Sequence, residues 1–245
     1  MARMARKVSQ SGIYHIMLRG INRQPIFTDE RDCAKFIEIL CMCQKISQFR
    51  LFAYCLMENH VHLLLQAGEE PIELAMKRIG TRFAVWFNKK HSRVGHLFQD
   101  RFRSKPVEND RYFLTVLRYI IYNPVKAGLC LKPEDYRMSS ARDYFYGGGV
   151  TDTSYAEEIT GKTGLREFLR TDNDDECMDD VPVRLNDEMA VNLISTLTNG
   201  ADQKTSARII LEHPKLYLPA LRSAGMSIRQ ICRLTGLSFG KVRKY

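Results

Sequence analysis

Cys55-Leu56-Met57-Glu58-Asn59-His60-Val61-His62-Leu63-Leu64-Leu65 reads as two apolar strands on either side of Glu58-Asn59, a tight turn or bulge. Side chains alternate along a strand, so His60 and His62 share one face of a sheet while Val61 points into a core. The stretches on either side fit this reading. Phe49 to Met57 is the strand that enters the turn or bulge and His60 to Gln66 the strand that leaves it. Upstream, Gly12 to Arg19 is a first strand rich in β-formers, followed by the loop Gly20 to Pro25. Thr28 or Asp29 caps a helix that runs to about Ser47, with Phe36, Ile37, Leu40 and Ile46 as its apolar stripe. Downstream, Pro71 opens a second helix in its first turn, with Leu74, Ile79, Phe83, Trp86 and Phe87 facing inward. Leu97 to Val107 holds a fourth strand with Arg101, Arg103 and Lys105 at alternate positions. Asn109 or Asp110 then caps a helix that Pro124 and Gly128 bring to an end.

The order β-α-β-β-α-β plus a helix gives an α+β fold, a ferredoxin-like split βαβ antiparallel sheet with helices. Three parts are expected: a catalytic domain over 1–145, a linker over 146–184 and a small all-helical C-terminal domain over 185–245. The linker contains Thr171 to Asp180, with six acids in ten positions. A calcium loop beginning at Asp172 would need glycine where Cys177 stands, so a solvated acidic segment is the better reading. In the last part, Ser227 to Ser238 reads as helix, glycine turn, helix, with Ile228, Ile231 and Leu234 as the packing stripe. Ser227 and Ser238 are the expected caps, and Phe239 to Tyr245 is the recognition helix of a helix-turn-helix. No Asp or Glu follows Glu212, whereas Arg229, Arg233, Lys241, Arg243 and Lys244 do, and duplex DNA is the partner such a unit would take.

An apolar share of 44% supports a packed core, and a formal charge of +9 favours a polyanionic partner, nucleic acid above all. The seven cysteines are scattered without a CxxC pair, which suits buried thiols in a reducing cytosol. No apolar core follows the basic start Met1 to Lys7 and no apolar run is long enough to span a bilayer, so neither a secretory signal nor a membrane span is expected. No glycine-rich phosphate loop is present, which argues against ATP-driven chemistry.

Two imidazoles on one rigid face can hold half of a divalent-metal site. Alone, such a pair equally fits half-buried histidines bonded to backbone. Arg118-Tyr119-Ile120-Ile121-Tyr122-Asn123-Pro124 adds a phenol and an amide at i and i+4, on one helix face. Two histidines and the Asn123 oxygen would leave positions open on magnesium or manganese for phosphate and water. Tyr119 would then attack a phosphodiester whose charge the cation neutralises. No third His, Cys or carboxylate lies at a spacing that suggests a zinc hydrolase.

Asn59-His60-Val61-His62-Leu63-Leu64 resembles the HUH motif, and Arg118 to Leu129 resembles the tyrosine helix of single-tyrosine HUH transposases. Tyr14 to Arg23 and Gly95 to Ser104 resemble the first strand with its arginine loop and the fourth-strand segment of the REP-associated tyrosine transposase branch. The resemblance covers roughly residues 8 to 145. It implies a magnesium- or manganese-dependent endonuclease and strand transferase for single-stranded DNA, acting near hairpins through a 5′-phosphotyrosine. It places His60 and His62 as metal ligands, Asn123 as the third ligand (glutamine in some relatives) and Tyr119 as the nucleophile. Glu58 stands where many relatives have proline, with no loss of chemistry expected. Arg19, Arg23, Lys89, Lys90, Arg101, Arg103 and Lys105 are the expected DNA contacts of this domain, and the C-terminal cations named above those of the other.

A non-catalytic DNA-binding regulator derived from a transposase is the main alternative, and an RNA-binding module of the same fold a lesser one. A cytoplasmic, nucleoid-associated protein is expected, with monomer and homodimer both open.

Overall fold

A computed structural model describes residues 6–171, 177, 187–198, 202–223 and 226–244. They divide into two units, 1–178 and 179–245. In the first, β2 (Arg50–Met57) and β3 (His60–Gln66) form the hairpin, with Met57 paired to His60 across the turn. The turn is tied from outside. The Asn59 carbonyl accepts from the Gly20 amide at 2.9 Å, and the Glu58 carbonyl accepts from the Ile26 and Phe27 amides. Gly20 is required for this approach, because a Cβ there would run into the Gln24 carbonyl.

The four strands, completed by β1 (Ile13–Arg19) and β4 (Arg103–Pro106), lie in the order β2-β3-β1-β4 and are all antiparallel. This is the expected split βαβ sheet. One face carries Tyr14, Ile16, Leu18, Val61, Leu63 and Leu65. They pack under α1 (Glu30–Ser47) and α2 (Ile72–Lys90), which contribute Phe36, Leu40, Ile79 and Phe83. The other face carries Ile13, Phe52, Cys55 and Leu64 under α3 (Asp110–Lys126), which contributes Phe113, Val116, Leu117 and Ile120. A bulge between Leu51 and Ala53 puts both Phe52 and Ala53 on the α3 side. Capping follows local chemistry: Asp29 accepts from the Asp32 amide at the start of α1, and Asn109 from the Tyr112 amide at the start of α3.

Several expectations need correction. The fourth strand is four residues long and Arg101 lies outside it. Residues 97–100 are held instead by loop contacts, Leu97 and Gln99 bonding to the backbone of Ile21 and Arg19. Ile46 and Leu74 are exposed, and Ile39 and Cys43 take the inner positions on α1. Pro71 occupies the cap of α2, one residue before its first turn. Pro124 lies inside α3, which ends two residues later.

The region expected as a linker is partly structured. Beyond a short α4 (Ala141–Tyr146), α5 (Ser154–Thr160) and α6 (Lys162–Arg170) bury Ala156, Leu165 and Leu169 in the core beneath α3. Tyr155 stacks edge-on against Phe113 at 4.8 Å between ring centroids, and its hydroxyl donates to Asp110. Leu165 and Leu169 stand one turn apart, which lets so short a helix present an apolar face. Apart from Thr171 and Cys177, the acidic stretch lies outside the described residues.

The second unit contains α7 (Asp187–Leu197), α8 (Gln203–Glu212), α9 (Pro214–Ser223), α10 (Ile228–Thr235) and α11 (Phe239–Arg243). Ala190, Ile194, Ile210, Leu218, Leu221, Ile231 and Val242 form its core. Ser227 caps α10 by accepting from the Gln230 amide, and Gly236 ends that helix in the left-handed conformation at φ 74°. Ser238 sits at the cap of α11 without a side-chain bond. No described helix is long and apolar enough to cross a membrane.

Candidate active site

The α3-facing side of the sheet gathers the polar groups. Register pairs Arg19 with His60 and Met17 with His62 across β1 and β3, so His15 lies diagonally beside His62. On β4, Arg103 pairs with Met17 and Lys105 with His15, which puts both cations on this same face.

Above the histidines stands α3. Tyr119 is buried, and its ring centroid lies 5.6 Å from that of His62 in an edge arrangement. His60 and His62 rings are 5.0 Å apart. Asn123, one turn beyond Tyr119, is hydrogen-bonded to His60. The i and i+4 spacing therefore delivers the phenol to one imidazole and the amide to the other. Lys126 Nζ lies 5.7 Å above the Tyr119 ring.

Each imidazole has its Nδ1 engaged. His60 Nδ1 lies 2.7 Å from Asn59 Oδ1. The Asn59 amide nitrogen donates to the Arg23 carbonyl, which turns Oδ1 toward the ring. Because a carbonyl oxygen only accepts, His60 carries its proton on Nδ1 and keeps a lone pair on Nε2. His62 Nδ1 lies 3.0 Å from His15 Nε2 in the interior.

Burial, reinforced by Arg19 and Arg23, holds His60 down to about 4. Burial and the nearby Lys105 hold His15 down to about 3, and burial with neighbouring His15, His60 and Arg19 puts His62 well below the ordinary range. All three rings are neutral at pH 7, the form that donates a lone pair to a metal. Two neutral imidazoles, each engaged at its Nδ1, and an amide oxygen could offer two nitrogens and one oxygen to a divalent cation, a set that magnesium or manganese tolerates rather than prefers. Among the described residues, no three His, Cys, Asp or Glu side chains make a metal cluster, so such a site depends on the amide.

Cations border the site. Arg19 is half-buried, and burial together with Arg23 and Arg103 lowers its guanidinium to about 10; the Tyr119 phenol lies within its field. Asn22 and Arg23 both adopt left-handed backbone, at φ 49° and 59°, a conformation that costs non-glycine residues energy. Arg23 Nε is buried with no hydrogen-bond partner among the described residues. Lys105 Nζ lies 4.7 Å over the Tyr112 ring.

Other expected contacts stand elsewhere. Lys90 is held by Asp29 and Asp32, the latter fully buried, so its charge is already engaged. Lys89 is exposed near the end of α2, and Arg101 in the loop before β4. In the second unit Arg229, Lys241, Arg243 and Lys244 are exposed, while Arg233 is paired with Asp187.

Sequence reasoning missed His15 and the orienting part of Asn59. The available signal was a lone imidazole within the otherwise apolar run Ile13 to Leu18, but its neighbour across the sheet is fixed only by register.

Residues 8–123 match the family model described as Transposase IS200 like. Over that stretch, just under half of its length, the chain is similar to the IS200-like transposase family. The chain also shares 31% identity over 103 residues with a REP-associated tyrosine transposase of Haemophilus influenzae. That match takes in 38% of this chain and 58% of the relative, so the chain spans less than two thirds of it. A solved REP-associated tyrosine transposase bound to a REP hairpin superposes with a TM-score of 0.50 at 20% identity. It covers 62% of this chain and 94% of that one, a likeness of fold.

Proposed function

We propose that the protein is a metal-dependent single-strand DNA endonuclease and strand transferase, a transposase that acts beside hairpins through Tyr119. The observation that carries this reading is the meeting of Tyr119 and Asn123 on α3 with His62 and His60 on the sheet. The family-model match over 8–123 supports DNA as the substrate, and the hairpin held by the relative of like fold supports the substrate class.

His60 Nε2, His62 Nε2 and the Asn123 oxygen would hold magnesium or manganese, which when bound neutralises the non-bridging oxygens of the scissile phosphate. The rest of the chemistry belongs to the chain. The Tyr119 oxygen attacks phosphorus and loses its proton to solvent. A P–O bond forms to the phenol as the bond to the 3′ oxygen breaks, and that oxygen takes up a proton. The product is a 5′-phosphotyrosine and a free 3′ hydroxyl. Attack by another 3′ hydroxyl reverses the step and rejoins strands without external energy. Arg19, Arg23, Arg103 and Lys105 would bind the phosphate backbone around the reacting centre, with Lys89 and Arg101 further out. Because Lys90 is held by Asp29 and Asp32, it is set aside as a DNA contact. Arg229, Lys241, Arg243 and Lys244 would bind duplex DNA, the paired Arg233 contributing less.

Cleavage of a single-stranded hairpin substrate with manganese, assayed for the unmutated protein, Tyr119→Phe and His60→Ala, tests this reading. Cleavage by the first and neither variant supports it. Cleavage by Tyr119→Phe at the unmutated rate removes Tyr119 from the mechanism, and DNA binding without any cleavage leaves a regulator.

A further inference from the structure

His15 is fully buried in the middle of β1, in a chemistry that the nucleophile and the three candidate ligands do not account for. Its Nε2 stands 3.0 Å from His62 Nδ1, and its own Nδ1 is buried with no hydrogen-bond partner among the described residues. A buried polar atom left in this state calls for an explanation, because most such atoms in folded proteins are paired.

Two arrangements of protons satisfy the 3.0 Å contact. In one, His15 donates from Nε2 and keeps a bare lone pair on Nδ1. His62 then carries its proton on Nε2 and has no lone pair there to offer. In the other, His62 donates from Nδ1 to His15 Nε2, His62 Nε2 is bare, and the His15 proton sits on the unpaired Nδ1. Only the second makes His62 a ligand through Nε2. Ligating imidazoles ordinarily donate their other N–H to a fixed acceptor, which sets both tautomer and ring orientation. Asn59 does this for His60.

We propose that His15 is a positioning residue that accepts the His62 Nδ1 proton and so presents His62 Nε2 to a divalent cation. This rests on the metal-site reading of His60, His62 and Asn123. The unpaired Nδ1 is then the cost of keeping His62 ready. Tyr119 closes the other side of the His15 ring, 5.8 Å away between centroids and edge-on, so the ring has little room to turn over.

The test uses the full-length protein without DNA. Manganese affinity is measured by calorimetry for the unmutated chain, His60→Ala, His15→Phe and His15→Gln. Nitrogen chemical shifts of His62 are recorded in the magnesium-loaded unmutated protein. The expectation is that His15→Phe weakens binding about 10- to 100-fold, the range for loss of such an orienting partner. His15→Gln, whose amide oxygen stands near the place of Nε2, restores most of it, and His62 Nδ1 gives the shift of a protonated nitrogen. Manganese binding that is absent from the unmutated protein, or indifferent to His60→Ala, overturns the metal site and this inference with it. Normal binding that is lost in His60→Ala but kept in His15→Phe overturns the role of His15 alone, as does an unprotonated His62 Nδ1. The shift measurement needs no variant, so it decides the matter even if His15→Phe fails to fold.

Discussion

Asn59 and His60 are adjacent in sequence, yet the Asn59 carboxamide folds back to hold its neighbour's Nδ1 at 2.7 Å. Its own orientation comes from the carbonyl of Arg23, a residue in left-handed backbone thirty-six positions earlier. Loop, turn and ring are thus one unit, and the strained loop conformation has an identifiable return in the tautomer of His60. Replacing Asn59 by Leu removes the acceptor. Manganese affinity should fall about 10- to 100-fold while the hairpin, held by backbone bonds to Gly20, stays folded. Calorimetry paired with circular dichroism checks both halves, and unchanged affinity would remove Asn59 from the site.

Acid should destabilise the metal-free protein early. An unfolded histidine takes up its proton near pH 6.5, whereas His60 and His15 in the fold do so only near 4 and 3. Between those values the unfolded chain binds more protons, so stability is intact above about pH 6.5 and falls as pH drops toward 4. Each unit of separation is worth about 1.4 kcal/mol per group. Thermal melts should show the midpoint falling between about pH 7 and pH 5, before ordinary carboxylates titrate. His15→Phe should flatten that fall, and a melt that stays level in the unmutated protein would contradict it.

Lys90, an expected DNA contact, has its charge already engaged by Asp29 and Asp32. Asp32 is fully buried and is satisfied by the Thr28 amide and hydroxyl, by His91 and by Lys90. Lys90→Met should lower stability, because it leaves the buried Asp32 carboxylate short of a partner, and leave hairpin affinity unchanged. Lys105→Met should do the reverse. It should weaken binding and reduce the slope of log affinity against log salt by about one, as loss of one phosphate contact requires. Chemical denaturation and a salt titration of binding separate the two.

Lys241→Ala with Arg243→Ala should reduce the salt slope for duplex DNA by about two. Covalent chemistry on hairpin DNA should be unaffected, because neither residue belongs to the unit that holds Tyr119. An unchanged duplex slope would make α10 and α11 a packing hairpin.

What the sequence revealed tracks how local the physics is. The turn at Glu58-Asn59 and the caps of α1, α3 and α10 depend on neighbours a few residues away; of the alternatives the sequence left open, the structure takes the tight turn, Asp29 and Asn109, and it keeps Ser227. Helical spacing brought Tyr119 and Asn123 to one face, but that this face meets the histidines depends on α3 lying across the sheet. His15 required the β1–β3 register, set between strands 47 residues apart at the His15–His62 contact. Lys90 required the packing of α2 beside the start of α1, 58 residues from Asp32. Arg101 was drawn into a strand by alternation alone, where loop backbone bonds interrupt the ladder before β4. The short helices α5 and α6 have too few turns for a periodic signal to stand out from a linker.

The most direct test of the central claim is to trap the protein on single-stranded hairpin DNA with manganese, digest the adduct with trypsin and nuclease, and sequence the nucleotide-bearing peptide by mass spectrometry. Cleavage after Arg118 and Lys126 gives a peptide holding both Tyr119 and Tyr122. The prediction is a 5′-phosphoryl nucleotide on the phenol of Tyr119, absent from Tyr119→Phe. A nucleotide on Tyr122, or on any residue outside this peptide, would contradict it.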